Sequence, residues 1–262
     1  MKKILSLSLF ACLAFLAGCT PHRRSDLEES GMKGKIKQMT ELVSNQLNSD
    51  NFTEEDPTEE KTEYDLMRIL DFYPNGNLKS LRLISENGTS IKKFTYGADS
   101  LLAETQYFEQ GKLLFHEIYT YNSKGFKESI AVKDTLGVLL QTVKFKYDKK
   151  GNKIEQTDLF PQGQKKVQHF KYDNKGRLTQ KTTVQNGVNS DIIETYQYDE
   201  NGNLSKISSE DKMFDSYTMS QKFHYKETDS QGNWTYRETE GFSPGSEKGK
   251  IVQTWERTIE YY

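Results

Sequence analysis

The residues that could catalyse a reaction are few, and they are spread along the chain. The four histidines are His22, His116, His169 and His224, and they lie in separate segments. The chain has no H-E-x-x-H pair, no nucleophile elbow, no phosphate-binding P-loop and no dinucleotide-binding glycine pattern. Two acidic residues on neighbouring strands could still meet, but the ionisable residues alternate with others as they do on a solvated face. We therefore predict no catalytic residues and no enzyme.

The cysteine at position 19 has the clearest predicted chemistry. Two lysines precede an apolar run of 13 residues (4–16), which is too short to span a bilayer as a helix and typical of a signal peptide. The run ends in Leu16-Ala17-Gly18-Cys19, which resembles the lipobox of bacterial lipoproteins. The resemblance implies a signal peptide over residues 1–18 and cleavage before Cys19. It also implies acylation, by fatty acids such as palmitate, of the Cys19 thiol and of the new amino terminus.

The segment behind this cysteine predicts where the protein is delivered. We expect residues 19–33 to form a polar, lipidated tether, with the lipid bilayer as the partner of acylated Cys19. Thr20 rather than Asp follows the cysteine, which by the same resemblance implies delivery to the outer membrane. Some surface-exposed lipoproteins carry Ser or Lys and then acidic residues just behind the cysteine, a pattern that residues 25–29 match poorly. The sequence leaves the periplasmic face and the surface face both open.

Composition narrows the range of partners and cofactors. Without the predicted signal the chain has 244 residues, with 34 basic and 38 acidic side chains and a net charge of −4. A mildly acidic chain of mixed charge lacks the basic field that recruits nucleic acid, so we predict no nucleic-acid partner. Cys12 leaves with the signal and Cys19 carries lipid, which excludes structural disulfides, thiolate metal sites and a cysteine nucleophile. We predict no cofactor.

A repeat of about 25 residues organises the rest of the chain. Each unit carries two mostly aromatic residues separated by one other residue, and the second members lie 24 to 27 residues apart from Phe72 to Tyr225. Leu70 and Phe72 open the series, and Ile259 and Tyr261 close it. Because alternate residues of a strand share a face, each pair places two rings on one side. The six central pairs are Phe94 and Tyr96, Tyr119 and Tyr121, Phe145 and Tyr147, Phe170 and Tyr172, Tyr196 and Tyr198, and Phe223 and Tyr225.

Turn residues separate the predicted strands. A glycine follows most pairs by four residues, as in Asp148-Lys149-Lys150-Gly151 and Asp173-Asn174-Lys175-Gly176. We expect the Asp carboxylate to accept a backbone N–H two residues on, and the glycine to adopt the left-handed conformation that ends a hairpin loop. Asn87-Gly88 and Asn186-Gly187, midway between these turns, predict tight hairpins.

These patterns predict an all-β domain over residues 34–262. We expect an antiparallel meander of about eight repeated hairpins, or sixteen strands. The first hairpin joins residues 34–38 to residues 64–72 across a long insertion. The last hairpin joins residues 233–238 to residues 251–261.

The run aromatic-x-Tyr-Asp-x-x-Gly-Asn/Arg-Leu, seen in Phe170 to Leu178 and Tyr196 to Leu204, resembles the YD repeat of the Rhs family. Rhs-type proteins wind long arrays of such hairpins into a β shell around a toxin. The resemblance implies stacked hairpins over nearly the whole mature chain. With eight units, and no toxin domain after the last strand, we expect an elongated, twisted or curled sheet rather than a closed shell.

The aromatic pairs have two interpretations. The eight pairs hold 14 of the 31 aromatic residues, and we predict that they form the core. If the sheet stays open, the same rings form a candidate ligand face suited to stacking on sugar rings.

Acidic segments suggest two further sites. Asp199-Glu200-Asn201-Gly202-Asn203 places several oxygens together, as a calcium loop does, but turn chemistry explains the Asp and other turns carry lysine at these positions. We predict no metal. The insertion at 48–63 holds seven acidic residues and one lysine, and we expect a solvated loop that could contact a basic partner or a cation. The loop at 241–249 is the second break in the repeat.

We predict an outer-membrane-anchored lipoprotein whose β-repeat domain is not catalytic and binds a glycan, a peptide or an envelope protein. The alternatives are a structural spacer or assembly lipoprotein, and a shell-like fragment related to Rhs polymorphic toxins.

Overall fold

The computed structural model describes residues 25–45, 64–185, 191–211, 217–243, 246 and 248–262. The predicted signal peptide, Cys19, the acidic insertion, the Asn186-Gly187 turn and part of the 241–249 loop lie outside the described residues. No helix within these ranges has the length and apolar character needed to cross a membrane. The described elements are α1 (Asp26–Glu29), β1 (Ile36–Asn45), β2 (Leu66–Phe72), β3 (Leu78–Ser85), β4 (Gly88–Tyr96), β5 (Leu102–Glu109), β6 (Lys112–Tyr121), β7 (Lys127–Asp134), β8 (Leu139–Tyr147), β9 (Lys153–Leu159), β10 (Lys165–Tyr172), β11 (Leu178–Gln185), β12 (Asp191–Tyr198), β13 (Leu204–Asp211), β14 (Tyr217–Thr228), β15 (Trp234–Phe242) and β16 (Lys250–Tyr261).

The strands form the predicted antiparallel meander. Every strand from β2 to β15 pairs with its neighbours in the chain on both sides. In the first hairpin Met39 lies opposite Leu70, and in the last hairpin Arg237 lies opposite Trp255. The all-β prediction and the sixteen strands of the eight hairpins are confirmed for the described part of the chain.

The sheet closes into a barrel, and the predicted open, elongated sheet is wrong. Strand β1 pairs with β2 on one side and with β16 on the other, where Met39 lies opposite Ile259 and Asn45 opposite Gln253. An open sheet would leave β1 and β16 as edges with rows of unpaired backbone groups, and closure removes both edges. The repeat pattern did not reveal this pairing because it joins the two ends of the domain.

The Asp turns have the predicted geometry. In the turn after β10 the Asp173 carboxylate accepts the backbone N–H groups of Lys175 and Arg177, both at 2.9 Å. Gly176 N donates to the Asp173 carbonyl at 3.1 Å, and the Gly176 φ angle is +79°, in the left-handed region. Seven turns with this backbone geometry, four of which begin with Asp, lie at one end of the barrel, which we call the Asp-turn end. They span residues 73–77, 97–101, 122–126, 148–152, 173–177, 199–203 and 229–233.

In each of the six hairpins from β3–β4 to β13–β14, a tyrosine at the end of the second strand donates a hydrogen bond to the backbone at the start of the first strand. The acceptor is a backbone carbonyl at what we call the post-turn position. This position lies two residues after the glycine of the preceding turn, or two residues after Ser100 in the turn where serine replaces that glycine. Tyr172 Oη donates to the Lys153 carbonyl at 2.8 Å, and Tyr198 Oη donates to the Leu178 carbonyl at 2.9 Å. Four further tyrosines make the same bond at 2.8 to 3.0 Å: Tyr96, Tyr121, Tyr147 and Tyr225. The bond explains why the second aromatic residue of each central pair is tyrosine.

Alternation along the strands separates an aromatic inner face from a charged outer face. Phe170 and Tyr172 share the inner face with Leu178, whereas His169 and Lys171 are exposed on the outer face. The interior of an eight-stranded barrel is just filled by side chains, and a sixteen-stranded barrel is wider. The inner face therefore lines a lumen.

A short N-terminal segment packs against the Asp-turn end of the barrel. Helix α1 begins with a capping box formed by Ser25 and Glu28. Leu27 is only 4% exposed and belongs to an apolar cluster with Met39 and Leu70. Part of the segment assigned to the tether thus contacts the barrel.

Candidate functional site

The six central aromatic pairs lie on the inner face of the barrel, which we call the inner wall. Phe94 lies opposite buried Thr105, and Tyr119 lies opposite Ile130. Among the twelve rings only Tyr196 is buried, at 9% exposure, and the others are half-buried. Closure therefore turns the predicted ligand face inward: Phe94, Tyr96, Tyr119, Tyr121, Phe145, Tyr147, Phe170, Tyr172, Tyr196, Tyr198, Phe223 and Tyr225.

Two adjacent hairpins place lysine at the post-turn position of the inner wall. Lys127 lies opposite Tyr121, and Lys153 lies opposite Tyr147. The same position is leucine in four other hairpins (Leu78, Leu102, Leu178 and Leu204) and Trp234 in the last. Both lysines are half-buried, so two cations replace apolar groups on the inner wall.

These lysines lie against aromatic rings. The Lys127 ammonium is 4.7 Å from the centre of the Tyr119 ring. The Lys153 ammonium is 4.3 Å from the Phe170 ring and 5.7 Å from the Phe145 ring. An ammonium group over a ring is attracted by the electrons of the ring face, and this interaction strengthens when water is excluded. The rings thus help to hold cations inside the barrel.

Other inward-facing charges are held by partners on the inner wall. Lys166 pairs with Asp158 at 3.1 Å, and Lys181 pairs with Glu194 on the neighbouring strand. The Tyr119 hydroxyl donates to Glu117 Oε2 at 2.6 Å. Burial, reinforced by the Glu117 charge, raises the pKa of Tyr119, so this hydroxyl stays protonated and donating near neutral pH.

A buried ionic cluster closes the barrel at β1, β2, β15 and β16. We call it the closure cluster, formed by Glu41, Arg68, Trp234, Arg237, Trp255 and Arg257. Glu41 lies directly opposite Arg257 on β16 and directly opposite Arg68 on β2. Glu41 Oε1 accepts from Arg257 Nη2 at 2.6 Å, and Glu41 Oε2 is 3.0 Å from Arg68 Nη1. Burial acts to raise the pKa of Glu41, but the charges of Arg68 and Arg257 outweigh it and the pKa is lowered.

Both tryptophans of the chain stack on arginines of this cluster. The Arg237 guanidinium lies 4.9 Å from the Trp234 ring and 4.7 Å from the Trp255 ring, and Arg257 lies 3.4 Å from Trp234. Burial lowers the pKa of Arg237 and of Arg257, although the Glu41 charge acts to raise both. Three guanidinium groups therefore surround a single carboxylate, and the aromatic rings cover the remaining positive charge.

The N-terminal segment lies above this cluster. Asp26 Oδ2 accepts from Leu78 N and from Tyr96 Oη, both at 2.7 Å. Lys33 N donates to Asn233 Oδ1 at 2.8 Å, so the segment is fixed at the β2–β3 turn and at the β14–β15 turn. A cavity of about 80 Å³ lies beneath it, lined by Met32, Met39, Trp234 and Arg257 among other residues. This space is small and mostly apolar.

The histidines on strands lie on the outer face. His116 contacts Glu104 at 2.9 Å, and His224 contacts Glu240 at 3.0 Å. His169 and His224 face away from the aromatic pairs, as predicted. Within the described ranges no three His, Cys, Asp or Glu side chains are close enough together to hold a metal ion.

Sequence reasoning missed the closure cluster and the two inner lysines. Glu41, Arg68 and Arg257 lie in the first and last units, which depart most from the repeat, and their meeting depends on closure. The lysines had a visible signal, because Lys127 and Lys153 stand where other units have leucine. Cys19 and the 48–63 insertion lie outside the described residues, and their predicted roles stay predictions.

Several solved structures match the chain, and the first of those described here, with a TM-score above 0.5, has a similar fold. A porin-like protein from Bacteroides uniformis matches with a TM-score of 0.58 and 11% identity, over 87% of this chain and 99% of that chain. A TcdB2-TccC3-Cdc42 structure matches with a TM-score of 0.34 and 12% identity, over 87% of this chain and 15% of that one. The Tc holotoxin pore of Photorhabdus luminescens matches with a TM-score of 0.30 and 12% identity, over 68% of this chain and 13% of that one. No curated protein matches the sequence.

A family model identifies the repeat. The Teneurin YD-shell model matches residues 89–242, which is more than half of the chain and covers most of the hairpins. This match confirms the predicted relation to YD repeats of the Rhs type, and the Asp turns and the tyrosine hydrogen bonds are the structural form of that repeat. The chain belongs to the Teneurin YD-shell family.

Proposed function

We propose that this YD-shell barrel is a lipid-anchored, non-catalytic binding protein of the cell envelope that holds its ligand against the inner wall. The observation that carries the proposal is that eleven of the twelve rings of the inner wall are half-buried although they face inward. In a packed core such rings would be covered on all sides. Partly exposed rings in a wide barrel leave contact area for a ligand such as a glycan or a peptide.

The composition of the outer face supports the proposal that the barrel is held beside a membrane. Lys144, Lys146 and Lys171 are exposed outward between inward-facing aromatic residues. Barrels that cross membranes have the opposite arrangement, with an apolar band outside and polar residues inside. A charged outer face is suited to water, so membrane attachment would come from the lipid on Cys19.

The position of the N-terminal segment supports a proposal about which end of the barrel would face the bilayer. Ser25 packs beside Gly76 at the Asp-turn end of the barrel, and it lies six residues after Cys19. Six extended residues reach at most about 20 Å. Acylation of Cys19 would therefore hold the Asp-turn end close to the bilayer.

Metabolic labelling with a palmitate analogue tests the anchor. We expect the wild-type protein to carry the label and to fractionate with membranes, and we expect the Cys19→Ala protein to lose the label and become soluble. Labelling and membrane fractionation that are unchanged in Cys19→Ala would overturn lipid anchoring.

Thermal unfolding of the Cys19→Ala protein tests binding, with a panel of bacterial and host polysaccharides, peptidoglycan fragments and peptides. A ligand at 100 times its Kd adds about 2.7 kcal/mol to the folded state and raises the unfolding midpoint. Phe145→Leu should weaken that shift, whereas Lys146→Leu, on the outer face of the same strand, should not. A panel without any shift, or a shift that both variants reduce equally, would contradict binding at the inner wall.

A second candidate is a shell that encloses a polypeptide. It is favoured by membership of the YD-shell family and by the closed wall of the barrel. A spacer that assembles through edge strands is disfavoured, because β1 and β16 pair with each other. Capture of a folded polypeptide, with no response to glycans or short peptides, would favour the shell.

A further inference from the structure

We propose that two copies of this barrel associate side by side through an apolar patch at the end opposite the Asp-turn end. We call this patch the apolar rim, and it consists of Leu114, Leu136, Val138, Leu139, Leu140 and Phe160. The inference goes beyond the proposed binding function and does not depend on it, because neither the aromatic pairs nor Cys19 takes part in the contact.

The residues of the apolar rim lie on neighbouring strands. Four of them belong to the β7–β8 hairpin, within residues 136–140. On one side, Phe115 lies opposite Asp134, so the neighbouring Leu114 lies beside the β7–β8 turn. On the other side, β9 pairs with β8, so Phe160, the first residue after β9, lies beside the start of β8. The six side chains therefore form one continuous surface.

The turn at the centre of the rim departs from the other turns at one position. Nine turns of the described ranges share the same pair of backbone hydrogen bonds, and two of them, at 134–138 and 160–164, lie at the rim end. In the ninth, at 134–138, the third residue is Leu136, which is 87% exposed. This position therefore does not need an apolar side chain for folding, and contact with a partner would remove the leucine from water. In the other eight turns the third residue is polar: Asn75, Asp99, Lys124, Lys150, Gln162, Lys175, Asn201 and Gln231.

Exposed apolar side chains are concentrated at the rim. Within the described ranges twelve large apolar residues are exposed, and six of them belong to the rim. Leu136 is 87% exposed and Val138 is 56% exposed, and the other four are 37% to 44% exposed. Single exposed apolar residues are ordinary, whereas a contiguous patch of them marks an interaction site.

The area of the rim fits an interface with a second copy. At about 150–200 Å² per large side chain, the exposed fractions of the six residues give roughly 500 Å² of apolar surface. An interface of standard size buries about 800 Å² on each partner, and in homodimers about 65% of the buried surface is apolar. That share is also about 500 Å², so the rim supplies the apolar part of such an interface.

The charges beside the rim suit a copy of the same surface. Glu109, Lys112 and Lys165 border the rim and are exposed. A two-fold axis brings the same residues of two copies together, so a carboxylate of one copy can lie near a lysine of the other. An anionic bilayer would attract the lysines and repel Glu109. The presence of both signs therefore favours a second copy over a lipid surface.

The direction of the rim favours a side-by-side arrangement. Leu140 shares the outer face of β8 with the exposed Lys144 and Lys146, because alternate residues of a strand lie on one face. The rim thus faces sideways. A two-fold axis parallel to the barrel axes joins two such rims and keeps both Asp-turn ends on the same side.

Sedimentation velocity of the full mature chain carrying Cys19→Ala tests the inference. We expect a dimer that dissociates as the protein concentration is lowered. Leu136→Asn introduces the residue that two equivalent turns have, so the barrel should fold. Its unfolding midpoint, measured at a low protein concentration at which the monomer predominates, should equal that of the parent. The Kd of the dimer should rise at least about tenfold, because the variant removes an apolar anchor of the interface.

Two further variants locate the interface. Leu140→Lys extends the row of outward lysines on β8, and it should also raise the Kd of the dimer at least about tenfold. Met219→Gln is the matched control, because Met219 is 51% exposed at the start of β14, at the same end of the barrel but outside the rim. This control should leave the Kd unchanged.

The remaining outcomes overturn the inference. A monomer at every protein concentration would refute the dimer, and equal effects of Leu136→Asn and Met219→Gln would refute the rim as its interface. Flotation with vesicles of phosphatidylcholine and phosphatidylglycerol provides a second assay. Vesicle binding by a monomer, abolished by Leu136→Asn, would replace the second copy with a lipid surface. None of these results bears on ligand binding at the inner wall, so the proposed function would still stand.

Discussion

Replacement of Glu41 by glutamine removes the carboxylate of the closure cluster. In the folded barrel this carboxylate lies among the guanidinium groups of Arg68, Arg237 and Arg257. Glu41 is 2% exposed and contacts Arg257 at 2.6 Å and Arg68 at 3.0 Å. The glutamine is nearly isosteric, so packing is kept while the buried positive charges lose their counterion. Removal of one partner of a buried ion pair costs about 3–5 kcal/mol, because the remaining charge stays buried.

Urea unfolding at neutral pH measures this loss. Trp234 and Trp255 are the only tryptophans of the chain and both stack on the cluster, so their fluorescence reports on closure. Glu260→Gln is the matched control, because Glu260 pairs with Lys37 at 2.5 Å between the same two strands but in an exposed position. A Glu41→Gln loss no larger than that of Glu260→Gln would refute the stabilising role assigned to the cluster.

The pH dependence of the same experiment has a defined sign. Although burial acts to raise it, the Arg68 and Arg257 charges hold the pKa of Glu41 below its ordinary value in the folded barrel. The carboxylate therefore stabilises the fold above its unfolded pKa, and this contribution is lost as pH falls through the depressed folded pKa. The gap in unfolding free energy between wild type and Glu41→Gln should be constant near neutral pH and should shrink below about pH 4.

Three further variants test the repeat and the N-terminal segment by urea unfolding. Gly176→Val should destabilise by about 1–3 kcal/mol, because a β-branched residue is strained at a φ of +79° although no neighbouring atom obstructs it; an unchanged midpoint would contradict the left-handed turn. Tyr172→Phe should cost about 0.5–1.5 kcal/mol through loss of the hydroxyl bond to the Lys153 carbonyl, and no loss would mean that this bond is not stabilising. Leu27→Ala should cost about 2–4 kcal/mol because Leu27 is 4% exposed, whereas Leu136→Ala at 87% exposure should change little; equal effects would show that the segment is not packed.

Local structure could be predicted because its causes are local. Asp173 accepts backbone N–H groups two and four residues on, and Gly176 adopts the left-handed conformation within the same turn. Phe170 and Tyr172 share a face because side chains alternate along a strand. These relations span five or fewer residues, so the sequence displays them directly.

Closure could not be predicted because its cause is not local. The pairing of β1 with β16 brings Glu41 to Arg257 across 216 positions of sequence. Each hairpin adds a small twist to the sheet. No residue pattern in the sequence indicates whether, after eight hairpins, the last strand meets the first strand and closes the sheet into a barrel. In the sequence, nothing distinguishes Glu41, which is buried in the barrel, from the other acidic residues that alternate along the strands.

Part of the candidate site could be predicted from the sequence. The aromatic pairs were identified by residue, but the choice between core and ligand face depended on curvature. Lys127 and Lys153 could be seen as departures from leucine, yet their meaning required knowledge that the post-turn position faces a lumen. The contact of Asp26 with Tyr96 was hidden for another reason, since residues 25–29 read as part of a polar tether.

Cross-linking of β1 to β16 tests closure, on which the whole account depends, most directly. Thr40 and Thr258 lie directly opposite each other on the outer face, and a Cys19→Ala mature chain has no native thiol. Opposite residues of antiparallel strands have Cα atoms about 4.5–5.5 Å apart, within the range of a disulfide. Mild oxidation of Thr40→Cys with Thr258→Cys should give an intramolecular disulfide in the folded protein, and Thr40→Cys with Lys146→Cys should not. Absence of the disulfide in the first pair, with both thiols still reactive, would show that the sheet is open and would contradict the account.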